Sequence, residues 1–293
     1  MTALAPIAAI VAAYDRPAQT IETLRRIFAC DPPPGEVLVH VDAGGEACAV
    51  ALRAAFPELR LFMAGERVGP GGARNRLVEE AGAEWVASFD DDSFPEQSDF
   101  FARAARAVAN ADGVAVIACG LRHPGDPDLA AAPPRDTASF GAGAALLRRS
   151  AFLAAGGFVP LATAYGMEEE DLALRLIDRG WRLRRDESLR VFHDADLSRH
   201  ADPRVTAGAL ANVALLAFLR YPAPAWGYGL LQIANRLVWS LKAGRRAGLV
   251  RGLMSIPGHL WRHRAQRACV ARDTLRRRAA LRAIDRAAAR PGA

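Results

Sequence analysis

Two tight clusters of acidic residues stand out in this chain. Asp90-Asp91-Asp92 directly follows an apolar run over residues 85–89 and precedes Pro95. Adjacent carboxylates repel one another, so such a cluster persists most readily where a cation neutralises it. An oxygen donor set suits Mg2+ or Mn2+, and Mg2+ is commonly shared between one or two carboxylates and a substrate's phosphates. A diphosphate is therefore the natural third party, against the plainer account of a solvated acidic turn or a cap for a helix near Asp99. Upstream, Gly69-Pro70-Gly71-Gly72-Ala73-Arg74-Asn75 lets backbone approach a ligand at the start of a helix, with Arg74 as a fixed cation. No Gly-Lys-Ser/Thr follows, so it is not a P-loop, and an ordinary turn remains the alternative. The second cluster is Glu168-Glu169-Glu170-Asp171. Acidic residues suit a first helical turn, but four in succession exceed what capping needs, and a crowded carboxylate can act as a general base. His193 ends an apolar run and is either a metal ligand, a proton carrier or simply packed.

These groups need a frame. Ile7–Ala13 and Glu36–Val41 read as strands, as do 59–63 and 85–89, with helical spacing over 19–29 and 73–81 between them. This β-α-β-α order predicts a mostly parallel sheet with helices on both faces. Ligands bind such sheets beyond the carboxyl ends of the strands. Tyr14, Asp15, Asp42 and Asp90 to Asp92 all fall there. Further on, a Pro- and Asp-rich loop over 124–135 precedes an expected strand over 139–147, a short helix over 150–155, a helix over 168–179 and a last strand over 189–192. Beyond residue 200 the chain is helical, Ala- and Leu-rich, and broken by Pro222, Pro224 and Pro257.

Composition sets outer limits. The 293 residues are 51% hydrophobic and 24% charged, which suits a globular chain and excludes disordered, collagen-like and disulfide-framed classes. Cys30, Cys48, Cys119 and Cys269 are scattered without a CxxC pair, so reduced thiols in a cytoplasmic protein are expected. No basic segment precedes the first apolar run, which reads as a buried strand rather than a secretory signal. No stretch attains the ~20 apolar residues of a spanning helix. The net charge of +6 is concentrated in the last quarter. There, basic residues from Lys242 to Arg278 interleave with Trp239, Leu241, Leu249, Val250, Leu253 and Trp261. That pattern fits an interfacial helix on an anionic membrane; a solvated face, packing on the catalytic domain and an oligomer contact are the other accounts. No nucleic-acid-binding motif accompanies the charge.

Taken in order, the motifs resemble the family 2 glycosyltransferases of the GT-A fold. Ala12-Ala13-Tyr14-Asp15-Arg16-Pro17 is similar to the family's opening strand and turn, with Asp15 in place of the usual Asn. Val39-His40-Val41-Asp42 is similar to the second strand, Gly71-Gly72-Ala73-Arg74-Asn75 to the glycine helix start, and Ser88-Phe89-Asp90-Asp91-Asp92 to the DxD-type metal motif. Phe140-Gly141-Ala142-Gly143 with Gly156-Gly157-Phe158 resembles the acceptor-side segment. Tyr165-Gly166-Met167-Glu168-Glu169-Glu170-Asp171-Leu172, with Arg175, resembles the segment that supplies the base. The resemblance covers roughly residues 5–195.

It implies an α/β GT-A fold, with a catalytic domain over 1–199 (nucleotide-binding half about 1–100, acceptor half about 101–199) and a helical basic extension over 200–293. It further implies an inverting transfer of sugar from a nucleotide-diphospho-sugar to a glycan or lipid-linked acceptor, within cell-envelope polysaccharide synthesis. Tyr14, Asp15, Asp42, Arg74, Asp90 and Asp91 would bind the donor. Asp92, Asp90 and His193 would hold Mg2+ or Mn2+. Glu169, in the place of the family's Asp, would be the base, with Glu168 beside it. The expected location is cytoplasmic, peripheral to the inner face of the membrane. A sugar-nucleotidyltransferase would carry a Gly-rich, Arg-containing loop after the first strand, where Tyr14-Asp15-Arg16-Pro17 stands instead. A catalytically silent glycan-binding scaffold would not need Asp92 and Glu169.

Overall fold

A computed structural model describes residues 6–128, 130, 132–161, 167–194 and 202–288. Tyr165 and Gly166 of the base-bearing motif and the expected boundary near residue 200 lie outside the described residues. The sheet begins with β1 (Ile7–Ala13), whose seven residues are all buried. Alternate side chains of a strand point to opposite faces, and here both faces are covered. Ile7, Ala9, Val11 and Ala13 join one core with α1 (Pro17–Phe28), α2 (Glu46–Ala55) and α4 (Phe100–Ala109). Ala8 and Ile10 join a second core with α3 (Gly69–Glu80), α5 (Arg149–Ala154) and α6 (Glu168–Asp178). Burial on both faces explains why β1 reads as an unbroken apolar run rather than an alternation.

The remaining strands are β2 (Glu36–Val41), β3 (Arg60–Met63), β4 (Trp85–Asp90), β5 (Ser93–Pro95), β6 (Val114–Arg122), β7 (Arg135–Asp136), β8 (Ala144–Arg148) and β9 (Arg182–His193). The sheet order is β3-β2-β1-β4-β8-β6-β9-β5, and β7 pairs with β9. Strands β1 to β4 pair in parallel, as expected from the β-α-β-α order. The second half is mixed. β8 runs antiparallel to both β4 and β6, and β9 is parallel to β6 but antiparallel to β5 and β7. The expectation of a mostly parallel sheet thus holds for the first four strands only.

Three further differences have physical causes. The strand expected over 139–147 is confined to Ala144–Arg148, because a turn closed by the Ala144 amide donating to the Gly141 carbonyl (3.1 Å) occupies the residues before it. The strand expected over 189–192 begins at Arg182: its arginines obscure an inward series of Leu183, Asp186, Leu189 and Val191. Strand β6 and helix α2 are additional to the expected elements, although Val114 to Cys119 form an unbroken apolar run like that of β1 and α2 buries Cys48 and Leu52 at i and i+4.

The C-terminal helices are α7 (Pro203–Arg220), α8 (Trp226–Lys242), α9 (Leu249–Arg262, with Pro257 inside it) and α10 (Arg272–Ala288). They are joined to the sheet region by a third core. Val159, Leu161, Met167 and Leu174 pack there with Leu215, Leu216, Leu219, Tyr221 and Val270. Charged clamps reinforce it. Asp171 of α6, fully buried, receives Arg175 (2.8 Å) and Arg220 of α7 (2.5 Å). Glu170 pairs with Arg278 and with Arg282 (2.6 Å) of α10. Asp285 of α10 accepts from Thr137 Oγ1 and the Ala138 amide, both at 3.0 Å.

Candidate active site

The site lies where several strands end. Strand β1 runs into Tyr14 and Arg16, β2 into Asp42, and β4 into Asp90. His193 ends β9 and pairs in register with Ser93, which brings it beside Asp92, 101 positions earlier. The Asp194 amide donates to the Asp92 carbonyl at 2.8 Å and locks that register.

The three aspartates diverge in role. Asp91 is buried and receives Arg16 through Nε at 2.9 Å and through Nη2. Burial, with the neighbouring carboxylates, pushes Asp91 up to about 6 against the pull of that guanidinium, so it is ionised at neutral pH. Asp92 is also buried. Its Oδ2 accepts from Arg16 Nη1 at 2.5 Å, and its Oδ1 lies 3.1 Å from His193 Nε2. Burial alone would raise the Asp92 pKa, but the His193 hydrogen bond and the Arg16 charge outweigh it, and the net shift is downward. For His193, burial acts downward, but the Asp92 hydrogen bond and the charges of Asp90 and Asp92 carry it above the ordinary imidazole value. Asp90 Oδ2 is 3.9 Å from His193 Nε2.

Asp90, Asp92 and His193 therefore present one ligand atom each within 4.8 Å of one another. Two carboxylate oxygens and one imidazole nitrogen form a donor set that fits Mn2+ or Mg2+, with room left for substrate oxygens. This is the triad expected from the sequence. Asp91 sits with the aspartates but is tied to Arg16 rather than turned to the ion.

Arg74 joins the aspartates to the glutamates. It is 3% exposed, donates from Nε to Ser88 Oγ at 3.1 Å, and pairs through Nη2 with Asp90. Burial would lower its pKa, but the charges of Asp90, Glu168 and Glu169 raise it, so the guanidinium stays charged in the interior. Glu168 is buried against α3. A Cβ on Gly71 would lie 2.7 Å from Glu168 Oε1, so only glycine admits the approach. That oxygen finds no hydrogen-bond partner among the described residues. Burial first, and the Glu169 charge second, raise Glu168 well above the ordinary glutamate value. Glu169 is half-buried, and burial raises it too, against Arg74 and backbone hydrogen bonds at its own amide and at Ala142. A half-buried carboxylate whose pKa is raised is equipped to take a proton.

The donor-binding candidates divide. Tyr14 is half-buried, and the Arg67 guanidinium lies 4.8 Å from its ring centroid, which leaves a flat surface at the end of β1. Asp15 is exposed. Asp42 is buried and accepts from the Val68 and Gly69 amides, both at 2.9 Å, so its carboxylate fixes the turn that starts α3. Sequence reasoning missed Arg16 as a site residue. The available signal was a lone arginine in the turn after β1, at the same sheet end as three unpaired aspartates.

The comparisons agree with this geometry. The family described as "Glycosyltransferase like family 2" matches residues 5–202, more than half of the chain. No curated protein sequence matches. Among solved structures, the mannosyltransferase PcManGT from Pyrobaculum calidifontis, in complex with GDP-Man and Mn2+, is similar with a TM-score of 0.55 and 18% identity, over 88% of this chain and 86% of that one. GalNAc-T7 with UDP, GalNAc and Mn2+ gives a TM-score of 0.60 and 12% identity, over 76% of this chain and 49% of that one. TarS 1-349 of S. aureus gives 0.51 and 14%, over 71% and 65%. At these identities the structures speak for the GT-A fold alone. The ordered sheet ends, the Asp-Asp-His triad and the family match over 5–202 together place this chain in glycosyltransferase family 2.

Proposed function

We propose that the protein is an inverting transferase that moves a sugar from a nucleotide-diphospho-sugar to a hydroxyl of a glycan or lipid-linked acceptor. In this reading it serves cell-envelope polysaccharide synthesis from the cytoplasmic side, as a peripheral protein of the membrane's inner face. No helix among the described residues is long and apolar enough to cross a membrane. One observation supports the reaction: α3 meets both acidic groups, because its buried Arg74 pairs with Asp90 and its Gly71 is approached by Glu168, the neighbour of Glu169.

The residues divide the work. Tyr14, Asp15 and the turn held by Asp42 receive the nucleoside. Asp92, Asp90 and His193 would hold the divalent ion, which supplies Lewis-acid neutralisation of the departing diphosphate. Arg16 fixes Asp92 from behind, and Arg74 fixes Asp90, so neither carboxylate swings when substrate arrives. Such supporting contacts commonly set metal affinity. Glu169 accepts the proton of the acceptor hydroxyl as that oxygen attacks the anomeric carbon. Its burial-raised pKa makes it a stronger base than a solvated glutamate. A single base and a single displacement invert the anomeric configuration. Glu168, behind Glu169 and against Gly71, keeps water from that side of the base.

The test is a transfer assay over nucleotide-sugar donors with Mn2+, alongside nucleoside-diphosphate binding. Glu169→Gln is expected to reduce turnover by about 10²- to 10⁴-fold while binding is retained. Full activity in that variant, or no turnover by the wild-type protein with any donor and acceptor, would overturn the assignment.

A further inference from the structure

Helices α8 and α9 pack against α7 and leave their other sides open. On α8, Gly229 and Ser240 face inward, with a Gly229 Cβ meeting Ala217 of α7. On the opposite side Leu230, Val238 and Leu241 recur at helical spacing, and Leu230 is 68% exposed. On α9, Leu249 and Gly252 face inward. Val250, Met254 and Trp261 recur outward at i, i+4 and i+11, exposed by 70%, 77% and 67%. Each helix is amphipathic, yet each turns an apolar stripe to solvent. Exposed apolar stripes of this kind mark a binding face.

The charge around the stripes identifies the occupant. Residues 203–272 contain eleven Lys and Arg and no Asp or Glu. The Arg236 and Arg245 guanidiniums lie 4.6 and 4.9 Å from the Trp239 ring, and Arg264 lies 3.8 Å from that of Trp261. Each tryptophan thus combines an apolar body with a cation at its side, the arrangement suited to a headgroup layer. A second copy of the chain fits poorly, because a twofold contact sets the same patch against itself and brings like charges together. An anionic bilayer supplies both missing complements: acyl chains for the stripes and phosphate or carboxylate headgroups for the arginines. The helices are too short to span it, which leaves them lying on it.

We infer that the outward faces of α8 and α9 dock on an anionic lipid bilayer. This rests on the peripheral location proposed above and adds the surface that mediates it. Both helices pack on α7, whose last residue, Arg220, is held by Asp171, two residues beyond Glu169 on α6.

The test is flotation of the full chain with vesicles of phosphatidylcholine containing phosphatidylglycerol, compared with phosphatidylcholine alone, at low and high salt and without donor or metal. The expected result is binding to the anionic vesicles that weakens as salt screens it. Combining Val250→Ser, Met254→Ser and Trp261→Ser should reduce partitioning by at least about tenfold, with an unchanged circular dichroism spectrum and unchanged nucleoside-diphosphate binding. Because a multiple variant can misfold, Arg245→Glu with Arg251→Glu forms a second arm, expected to lose anionic-vesicle binding and keep the fold. No wild-type binding, equal binding to neutral vesicles, or a concentration-dependent dimer that is dissociated by the serine variants would overturn the inference. Each leaves the donor and base assignments standing, because those are read by nucleotide binding and turnover.

Discussion

Replacing Gly143 with alanine tests the metal site through a residue that is not itself a ligand. A Cβ at Gly143 would lie 2.6 Å from Asp90 Cγ and 3.3 Å from Asp90 Cβ, where ordinary contact begins at 3.4 Å. The carboxyl carbon must therefore retreat by about 0.8 Å, more than the ~0.5 Å within which a functional group must be held. Gly143 cannot yield easily, because its carbonyl accepts from Ser93 Oγ at 2.7 Å while that oxygen also accepts from the Asp90 amide. Asp90 is one of three candidate ligands whose atoms lie within 4.8 Å of one another, so its displacement opens the triad. The expected loss of Mn2+ affinity is about 10- to 100-fold, or about 1.4–2.8 kcal/mol. Isothermal titration of Mn2+, with and without a nucleoside diphosphate, reads it directly. Gly141→Ala is the control, since nothing lies within 4 Å of a Cβ there. Wild-type Mn2+ affinity in Gly143→Ala, or an equal loss in Gly141→Ala, would refute the assignment of Asp90 as a ligand.

Two further outcomes follow from buried charges. Asp171→Asn leaves Arg175 and Arg220, both nearly buried, without their shared carboxylate. Breaking such a pair costs about 3–5 kcal/mol, to be read as a lowered urea midpoint; a loss under about 1 kcal/mol would place that network outside the determinants of stability. Glu168 and Glu169 both have folded pKa values above 4.5. The base must be ionised, so kcat/KM should fall with acid at a pH above the ordinary glutamate value. For stability the sign is opposite to that of a salt-bridged carboxylate. The folded state holds more protons between 4.5 and the raised values, so stability is greatest below 4.5 and declines as pH rises through that window. Glu168→Gln should flatten this decline in denaturation series, and an unchanged slope would count against a buried, proton-retaining Glu168.

Much of the frame was legible because the signals were local. β1 and β2 carry unbroken or nearly unbroken apolar runs, and their observed bounds coincide with the expected ones. The glycine-rich start of α3 and the acidic start of α6 likewise sit at helix N-termini. The triad of Asp90, Asp92 and His193 was named through the family resemblance, and the three side chains do converge. The arginine-rich half of β9 was not legible, whereas β6 was passed over despite an apolar run from Val114 to Cys119. The burial of that half of β9 is set by its neighbours in the sheet, and β8, antiparallel between β4 and β6, is a choice of topology that no local pattern encodes.

The sequence by itself determined that one acidic cluster follows a strand and the other opens a helix in an α/β chain, because strand and helix periods are properties of short segments. Only the tertiary structure decided what each carboxylate does. A helix turns by about 100° per residue, so four consecutive acids on α6 look in four directions. Glu168 meets Gly71, Glu169 is left half-buried, Glu170 meets Arg278 and Arg282, and Asp171 meets Arg175 and Arg220. In the same way Asp91 meets Arg16, while Asp92 is shared between Arg16 and His193. Adjacent residues of one chemical type were given different partners, up to 112 positions away, and that separation exists only once the chain has folded.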